Sequence, residues 1–514
     1  MAATRTVTRL FNQVAEWYPE ETAFVQALED RRLTYAEANE RARRIANGLT
    51  ERGVGQGDRI AMLADPSVEH ATLFFAAPKI GAVTTTLHVR ESVSDLRSMV
   101  RDVDPTAIVF DREYGDVAAA IAEAQTDVDL FLDYGDGPDQ PFSTSLSGLA
   151  DESPAAEPAV DVAPSDVAFI NYTSGSTGRP KGIVHTHEET VEACHAGQYM
   201  FGATDADTMV NASTPSFIAW KILTLPFVNV GGTVVFVGDW DPERIPAIVR
   251  DHAATVMNLV PTQWKMVMRT DYDPADFASL RLAGYGGEAM GTGLFEEIRS
   301  NVAENVTAQF GTTETMHSGL ALLPHRVSEA TLESIGRPVP SVDVRIIEPD
   351  THDPSATVDQ GDVGELIIRG PSVAERVWRD PDRTADLFHE DGWWFSGDLA
   401  VREDDGNVYL RGRTDNMIIT GGINVYAEAV EGIIERHPGV AECAVIGVPD
   451  ETWGEAVTAF AMLTDDALTP EDLAAWCRAN EDLGDYQRPR SWTVVDSLPR
   501  TNTGKLDRAS LRPD

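Results

Sequence analysis

The sequence predicts an α/β protein with a large N-terminal domain of βαβ-type sheets packed with helices, a β-rich subdomain, and a small α+β C-terminal domain. Three observations carry this. Short apolar strands alternate with amphipathic helices through the first part of the chain. Strand-like segments then occupy Gly364–Gly370 and Asn407–Arg411 in a more β-rich stretch. The helix and strand alternation restarts after Arg413-Thr-Asp-Asn416. A chain of 514 residues is too long for one core, so domains over 1–414 and 415–514 are expected.

In order along the chain, Thr34-Tyr-Ala-Glu37 reads as a capping box opening a helix with an apolar stripe of Ala38, Ala42, Ile45, Ala46 and Leu49. A strand at Arg59–Leu63 leads to a helix near Ser67–Ile80 that Gly81 stops. Ala107–Phe110 reads as strand and Val117–Ala124 as helix. Residues 134–166, rich in Asp, Gly, Pro, Ser and Ala, read as a surface excursion. Val167–Ile170 is a short buried strand, and further strands are expected at Thr233–Val237, Thr255–Leu259, Leu280–Gly284, Val306–Phe310 and Val342–Ile347. In the C-terminal part the pattern gives helix Ala427–Arg436, strand Val440–Val448, and a helix capped by Thr469 with Pro470 at its first position.

The charge balance, 41 basic against 83 acidic residues, leaves −42. Polyanions would be repelled, which excludes nucleic acid and anionic membrane as partners. Such acidity suits concentrated salt, where self-repulsion is screened, so a salt-adapted cytoplasm is expected. Cys194, Cys443 and Cys477 are scattered and form neither a disulfide framework nor a metal clip. No run reaches the length of a membrane span, so no integral membrane contact is expected. A monomer or homodimer is expected.

Only five lysines occur in the chain. Lys181 ends the loop Thr173-Ser174-Gly175-Ser176-Thr177-Gly178-Arg-Pro-Lys181, which follows a strand, and Lys505 closes Pro499-Arg-Thr-Asn-Thr-Gly504-Lys505. Glycines let backbone N–H groups close on an anion, hydroxyls add donors, and lysine adds a point charge. The loop is not a Walker A, because Arg179-Pro180 separates Gly178 from Lys181. His185, His187, Glu188 and Glu189 lack the spacing of a zinc-binding HExxH. Neither a GxSxG elbow nor a GxGxxG after a strand is present.

This loop resembles the phosphate loop of the adenylate-forming superfamily of acyl- and aryl-CoA synthetases, and the superfamily's other motifs follow in order over almost the whole chain. Gly286-Gly287-Glu288-Ala289 resembles the segment along the adenine and the substrate pocket, and Gln309-Phe310-Gly311-Thr312-Thr313-Glu314 resembles the next motif. The resemblance implies that Phe310 stacks on adenine, Thr313 bonds a phosphate and Glu314 binds Mg²⁺. Relatives more often carry tyrosine where Phe310 stands. Gly392-Trp-Trp-Phe-Ser-Gly397-Asp398 resembles the ribose motif, with Asp398 accepting from the ribose hydroxyls. Gly412-Arg413-Thr-Asp415-Asn416 through Gly421-Gly422 resembles a hinge motif. It implies Arg413 at the ribose, Asp415 as pivot and Gly421 and Gly422 along the pantetheine path. Lys505 is implied to bridge the carboxylate and the α-phosphate.

The implied activity is an ATP- and Mg²⁺-dependent carboxylic acid–CoA ligase with two domains joined by a hinge. Lys505, Glu314, Thr313 and Lys181 are its implied catalytic groups. Phe217, Ile218, Trp220, Gly286 and His317 are implied in the acyl pocket, although relatives often carry an aromatic-histidine element before it and Ser216-Phe217-Ile218 has no histidine. No basic residue marks a second carboxylate, which favours a monocarboxylic acid. A short or medium-chain fatty acid is expected, with an aryl acid or transfer to an acyl-carrier protein as alternatives.

Overall fold

The computed structural model describes residues 5–29, 31–124, 128–173, 180–288, 290–349, 351–464, 468–480, 482–500 and 506–512. Two compact units arise. One comprises residues 1–344 and 368–394, the other 345–367 and 395–514. The mixed α/β class with large N-terminal sheets and a smaller β-containing C-terminal part is as the sequence predicts.

The first unit holds two sheets. In one, Arg59–Leu63 pairs in parallel with Val83–Leu87 on one side and Ala107–Asp111 on the other. Leu130–Tyr134 extends the second side, and Val167–Thr173 extends the first. Val167–Thr173 then folds back antiparallel onto Lys181–Thr186, with Thr173 opposite Lys181. The phosphate-loop sequence therefore connects the two strands of a hairpin. The sequence reading missed the returning strand, because its four central residues are all buried and show no alternation.

The other sheet has a parallel centre in the order Val306–Phe310, Leu282–Gly286, Val256–Asn258, Thr208–Asn211, Thr233–Phe236 and Thr22–Gln26. Buried parallel strands read as continuous apolar runs, which is why most of these were legible. The expected strand Leu280–Gly284 instead spans Leu282–Gly286, a two-residue shift that changes which residues end beside the site.

Helix starts follow their caps. Thr34 and Glu37 close the predicted capping box of Tyr35–Glu51. Ser67 caps Val68–Ala76, and after a 3₁₀ turn Gly81 takes φ 68°, a conformation that favours glycine. The excursion at 134–166 is not featureless, since Thr144–Ser145 adds a strand and Leu146–Glu152 forms a helix capped by Ser145.

An aromatic seam runs between the sheets. Phe11 stacks on Phe75 at 4.1 Å, Phe74 meets Phe169 at 6.1 Å, and Trp220 lies parallel to Phe236 at 5.8 Å. Trp220 is fully buried there, with His70 edge-on at 4.6 Å.

In the second unit, Trp394–Arg402 and Val408–Arg413 pair antiparallel, with Asp398 opposite Arg413. A five-stranded sheet of Met417–Thr420, Ile423–Tyr426, Val440–Asp450, Gly454–Leu463 and Ser491–Val494 packs with helices Ala427–Ile434 and Pro470–Ala479 around Val430, Ile434, Val445, Val457 and Leu473. Thr469 and Asp472 form a capping box at the start of the last helix. Among the described residues no helix is long and apolar enough to cross a membrane.

Candidate active site

The hairpin strand and the turn after Val306–Phe310 bring two of the predicted catalytic groups together. Lys181 Nζ donates to Glu314 Oε1 at 2.7 Å, with Glu314 almost wholly buried. Burial alone would raise the Glu314 carboxyl, but the Lys181 charge and hydrogen bond outweigh it and hold the pKa below its ordinary value. The site therefore holds a desolvated carboxylate whose charge is balanced by one mobile-stemmed ammonium. One such carboxylate suits Mg²⁺, which takes few protein ligands when phosphate and water complete its shell. The acidic trio Asp65, Glu113 and Asp239 is the one three-residue cluster with metal-ligand spacing among the described residues, and it does not include Glu314.

The turn that places Glu314 is tight. Thr312 O accepts from His317 N at 2.9 Å and Thr313 O from Met316 N at 3.1 Å. Met316 and His317 both sit at positive φ, 50° and 58°, a costly conformation for side-chain-bearing residues. Glu314 O accepts from Ala374 N at 2.7 Å, and Ser318 Oγ donates to Ser372 Oγ at 3.0 Å, which hold the turn from outside. Gly311 lets the turn close, because a Cβ there would lie 2.3 Å from His317 Cα. Gly311→Ala is expected to cost about 3 kcal/mol of stability and to slow ATP-dependent activity about 10²-fold by shifting Glu314. Thermal melts and pyrophosphate release measure the two effects.

Burial keeps His317 neutral, with its pKa lowered to about 4 and only partly offset by the Gly311 backbone. Its Nε2 lies 3.0 Å from where a Gly286 Cβ would be, so these two predicted pocket residues are neighbours. Phe310 is half-buried at the strand end. Gly287 takes φ 81°, and Glu288 accepts from Thr262 Oγ1 at 2.8 Å. The Thr173 hydroxyl is buried without a partner where the loop begins. Phe217 is exposed beside His88 at 4.9 Å, and Ile218 begins the helix Ile218–Val230. Ser174, Gly175, Ser176, Thr177, Gly178, Ala289 and Lys505 lie outside the described residues.

Sequence reasoning missed Lys221. It is buried, donates to Asn171 Oδ1 at 2.8 Å and Pro215 O at 2.7 Å, and lies 5.4 Å from the Phe169 ring centre. Burial lowers its pKa to about 7. A basic residue thus stands beside the Pro215–Phe217 segment, with its ammonium bonded to groups of the protein itself. The scarcity of lysine could have drawn attention to it.

In the second unit, Arg413 Nη1 donates to Asp398 Oδ1 at 2.8 Å and to Ser396 O at 3.0 Å, and Arg413 Nη2 approaches Asp415 at 3.4 Å. Gly397 takes φ 68°, and a Cβ on it would meet the Arg413 guanidinium at 2.7 Å. Asp415 occupies a 3₁₀ turn, Thr414–Asn416, between Val408–Arg413 and Met417–Thr420. Gly421 and Gly422 form the next hairpin turn at φ 59° and 79°, and a Cβ on Gly422 would meet open space.

Comparison with known proteins gives a consistent picture. Residues 11–378 match a family profile described as AMP-binding enzyme, and residues 429–505 match the AMP-binding enzyme C-terminal domain. The chain is similar to a feruloyl-CoA synthase from Amycolatopsis sp, 32% identical with 93% of each chain covered. It is also similar to a long-chain-fatty-acid–CoA ligase from Mycobacterium tuberculosis, 30% identical over 98% of this chain and 97% of that one. Among solved structures, ATP-bound MatB from Rhodopseudomonas palustris superposes with a TM-score of 0.86 at 28% identity, covering 99% and 98% of the two chains.

Proposed function

The chain belongs to the AMP-binding enzyme family, and on that premise we propose how its residues divide the work of activating a carboxylic acid. It is an AMP-forming acyl-CoA synthetase, with ATP and CoA as co-substrates. In the first half-reaction a carboxylate oxygen attacks the α-phosphorus of ATP and pyrophosphate leaves. In the second the CoA sulfur attacks the acyl carbonyl, AMP leaves and the thiol proton is released. AMP is the point of the first step, since a thiol cannot expel oxide from a free carboxylate.

The observation that carries this assignment is the Lys181–Glu314 pair at 2.7 Å, with Lys181 at the start of the strand that follows the loop sequence. A buried carboxylate held ionised offers Mg²⁺ its protein ligand, and the ammonium beside it suits phosphate oxygens. Mg²⁺, when bound, neutralises charge that develops on the phosphates. Thr173, Ser174, Gly175, Ser176, Thr177 and Gly178 are assigned to the phosphates with Thr313, and Gly287, Glu288, Ala289, Phe310, Gly311 and Thr312 to the base. Asp398 is assigned to the ribose hydroxyls, which a carboxylate's paired acceptors suit, with Arg413 orienting it. The change of half-reaction is assigned to a rotation at Asp415 that withdraws Lys505 and offers Gly421 and Gly422 to the pantetheine arm.

For the acid, the sequence favours a short or medium-chain fatty acid, and an aryl acid is the second reading. Similarity to a protein named for feruloyl-CoA favours the second. The acidic composition adds a salt-adapted cytoplasmic setting. Pyrophosphate release is measured across alkyl and aryl acids in high KCl, with and without CoA. Acid-dependent release, CoA-dependent thioester, and a melting temperature that climbs with KCl are expected. ATP left intact with every acid would end the ligase reading, and a melting point indifferent to KCl would end the salt adaptation.

A further inference from the structure

The strand Leu282–Gly286 turns Ala283 and Tyr285 into the main core, so alternation turns Gly284 and Gly286 to the opposite face. Met257 and Ala308 join the same core, which puts Asn258 and Gln309 on the glycine face of their own strands. Register sets Asn258 beside Gly284 and Gln309 beside Gly286. Two glycines therefore floor a trough with a carboxamide on either side. Two strand spacings and two residues of rise separate those carboxamides, roughly 12 Å between backbones. The Asn258 amide folds over this floor, its Oδ1 2.2 Å from where a Gly284 Cβ would be, and His317 closes the Gly286 end.

Three of the four carboxamide atoms are buried and unmet. Gln309 is 4% exposed, and neither its Oε1 nor its Nε2 has a partner. Asn258 Oδ1 is likewise buried without one. Buried amides are costly when unbonded, and an exception needs a reason. On the opposite face the packing is apolar and the polar atoms of Trp264 and Tyr285 are bonded to Gly284 O and Leu332 O, whereas the unmet amides lie on the face that carries Gly286 and His317.

We propose that Gln309 and Asn258 form the polar wall of the acyl site and select a carboxylic acid that carries a hydroxyl on its ring or chain. A hydroxyl both donates and accepts. Gln309 Nε2 can donate to its oxygen, while Gln309 Oε1 or Asn258 Oδ1 accepts its proton. A bare alkyl chain would leave all three atoms unmet, the situation in which a polar pocket discriminates most strongly. The inference rests on the acid-ligase reading and narrows it.

The test is pyrophosphate release with matched pairs, 3-hydroxybenzoate against benzoate and 8-hydroxyoctanoate against octanoate. In the unmodified enzyme kcat/KM is expected to favour the hydroxylated member of at least one pair by about tenfold or more. Gln309→Met should abolish that preference, leave KM for ATP unchanged, and melt at the same or a higher temperature, because an unmet amide is gone. Equal use of both members of both pairs overturns the proposal, as does a Gln309→Met enzyme that keeps the preference. A clear drop in melting temperature also overturns it, since the amide would then be bonded within the protein. The unmodified enzyme's ratios decide the matter even where the variant is not recovered. Failure of every acid to release pyrophosphate strikes the ligase reading instead.

Discussion

Replacing Lys505 with alanine is expected to slow acid-dependent pyrophosphate release by about 10²–10³ or more, while preformed acyl-adenylate still reacts with CoA. The argument is electrostatic. Bringing a carboxylate to a triphosphate joins two anions, and in-line displacement spreads further charge over the α-phosphate oxygens. One positioned ammonium offsets both. In the thioester step the sulfur attacks a neutral carbonyl rather than a polyphosphate, and the charge that develops falls on the single phosphate of the departing AMP. Stopped-flow pyrophosphate release and separate thiolysis of synthetic adenylate read the two steps. Equal loss in both would contradict a lysine that serves adenylation alone, and with it the rotation assigned to Asp415.

Glu314→Gln is expected to produce the other large loss, again about 10²–10³ in pyrophosphate release, with a higher Mg²⁺ requirement. The change keeps shape and removes charge. It also leaves Lys181 facing a neutral amide, a partly buried cation without its carboxylate, at about 1–3 kcal/mol of stability once solvent access to the lysine is allowed for. The pH dependence has a definite sign. Glu314 titrates below its ordinary value in the folded protein because Lys181 outweighs burial. Its stabilising contribution is therefore complete above about pH 4.3 and disappears as pH falls through the lower folded pKa. Melts of the two proteins should differ at pH 7 and converge only as pH falls through the lowered folded pKa of Glu314. Persistent separation in acid would mean that Glu314 acts through shape.

The fold was legible where one physical signal dominated. Thr34 with Glu37, Ser67 with Gly81 and Thr469 with Pro470 mark helix ends through local hydrogen bonds and φ preferences, which need no tertiary context. The helix Ile218–Val230 has no such signature. It is buried on nearly every side and contains Pro226, whose ring packs where a Gly197 Cβ would be, 2.3 Å away. A helix apolar all round shows no amphipathic period. The acidic and glycine-rich motifs were visible as residue types in order, and the structure adds that Lys181 meets Glu314 and Gly286 meets His317. Lys221 lies inside the helix Ile218–Val230 and was hidden with it, whereas Asn258 and Gln309 were invisible as pocket residues for a different reason. A polar residue in a strand reads as solvent-facing until the sheet's other side is known, and a two-residue error in placing Leu282–Gly286 hides the face on which Gly286 stands.

The paired glycines at 284 and 286 give the enzyme a one-way adjustment. Their floor is main chain, already at its lowest, so any replacement can only raise it. A Cβ on Gly284 would press on the Asn258 amide and one on Gly286 on Gln309 O and His317, driving those walls toward the acid, excluding the bulkiest acids first and narrowing the repertoire. Enlarging it would demand changes at the walls, where His317 is locked into the same turn that holds Glu314. Lineages that share this floor should therefore diverge toward smaller acids far more readily than toward larger ones.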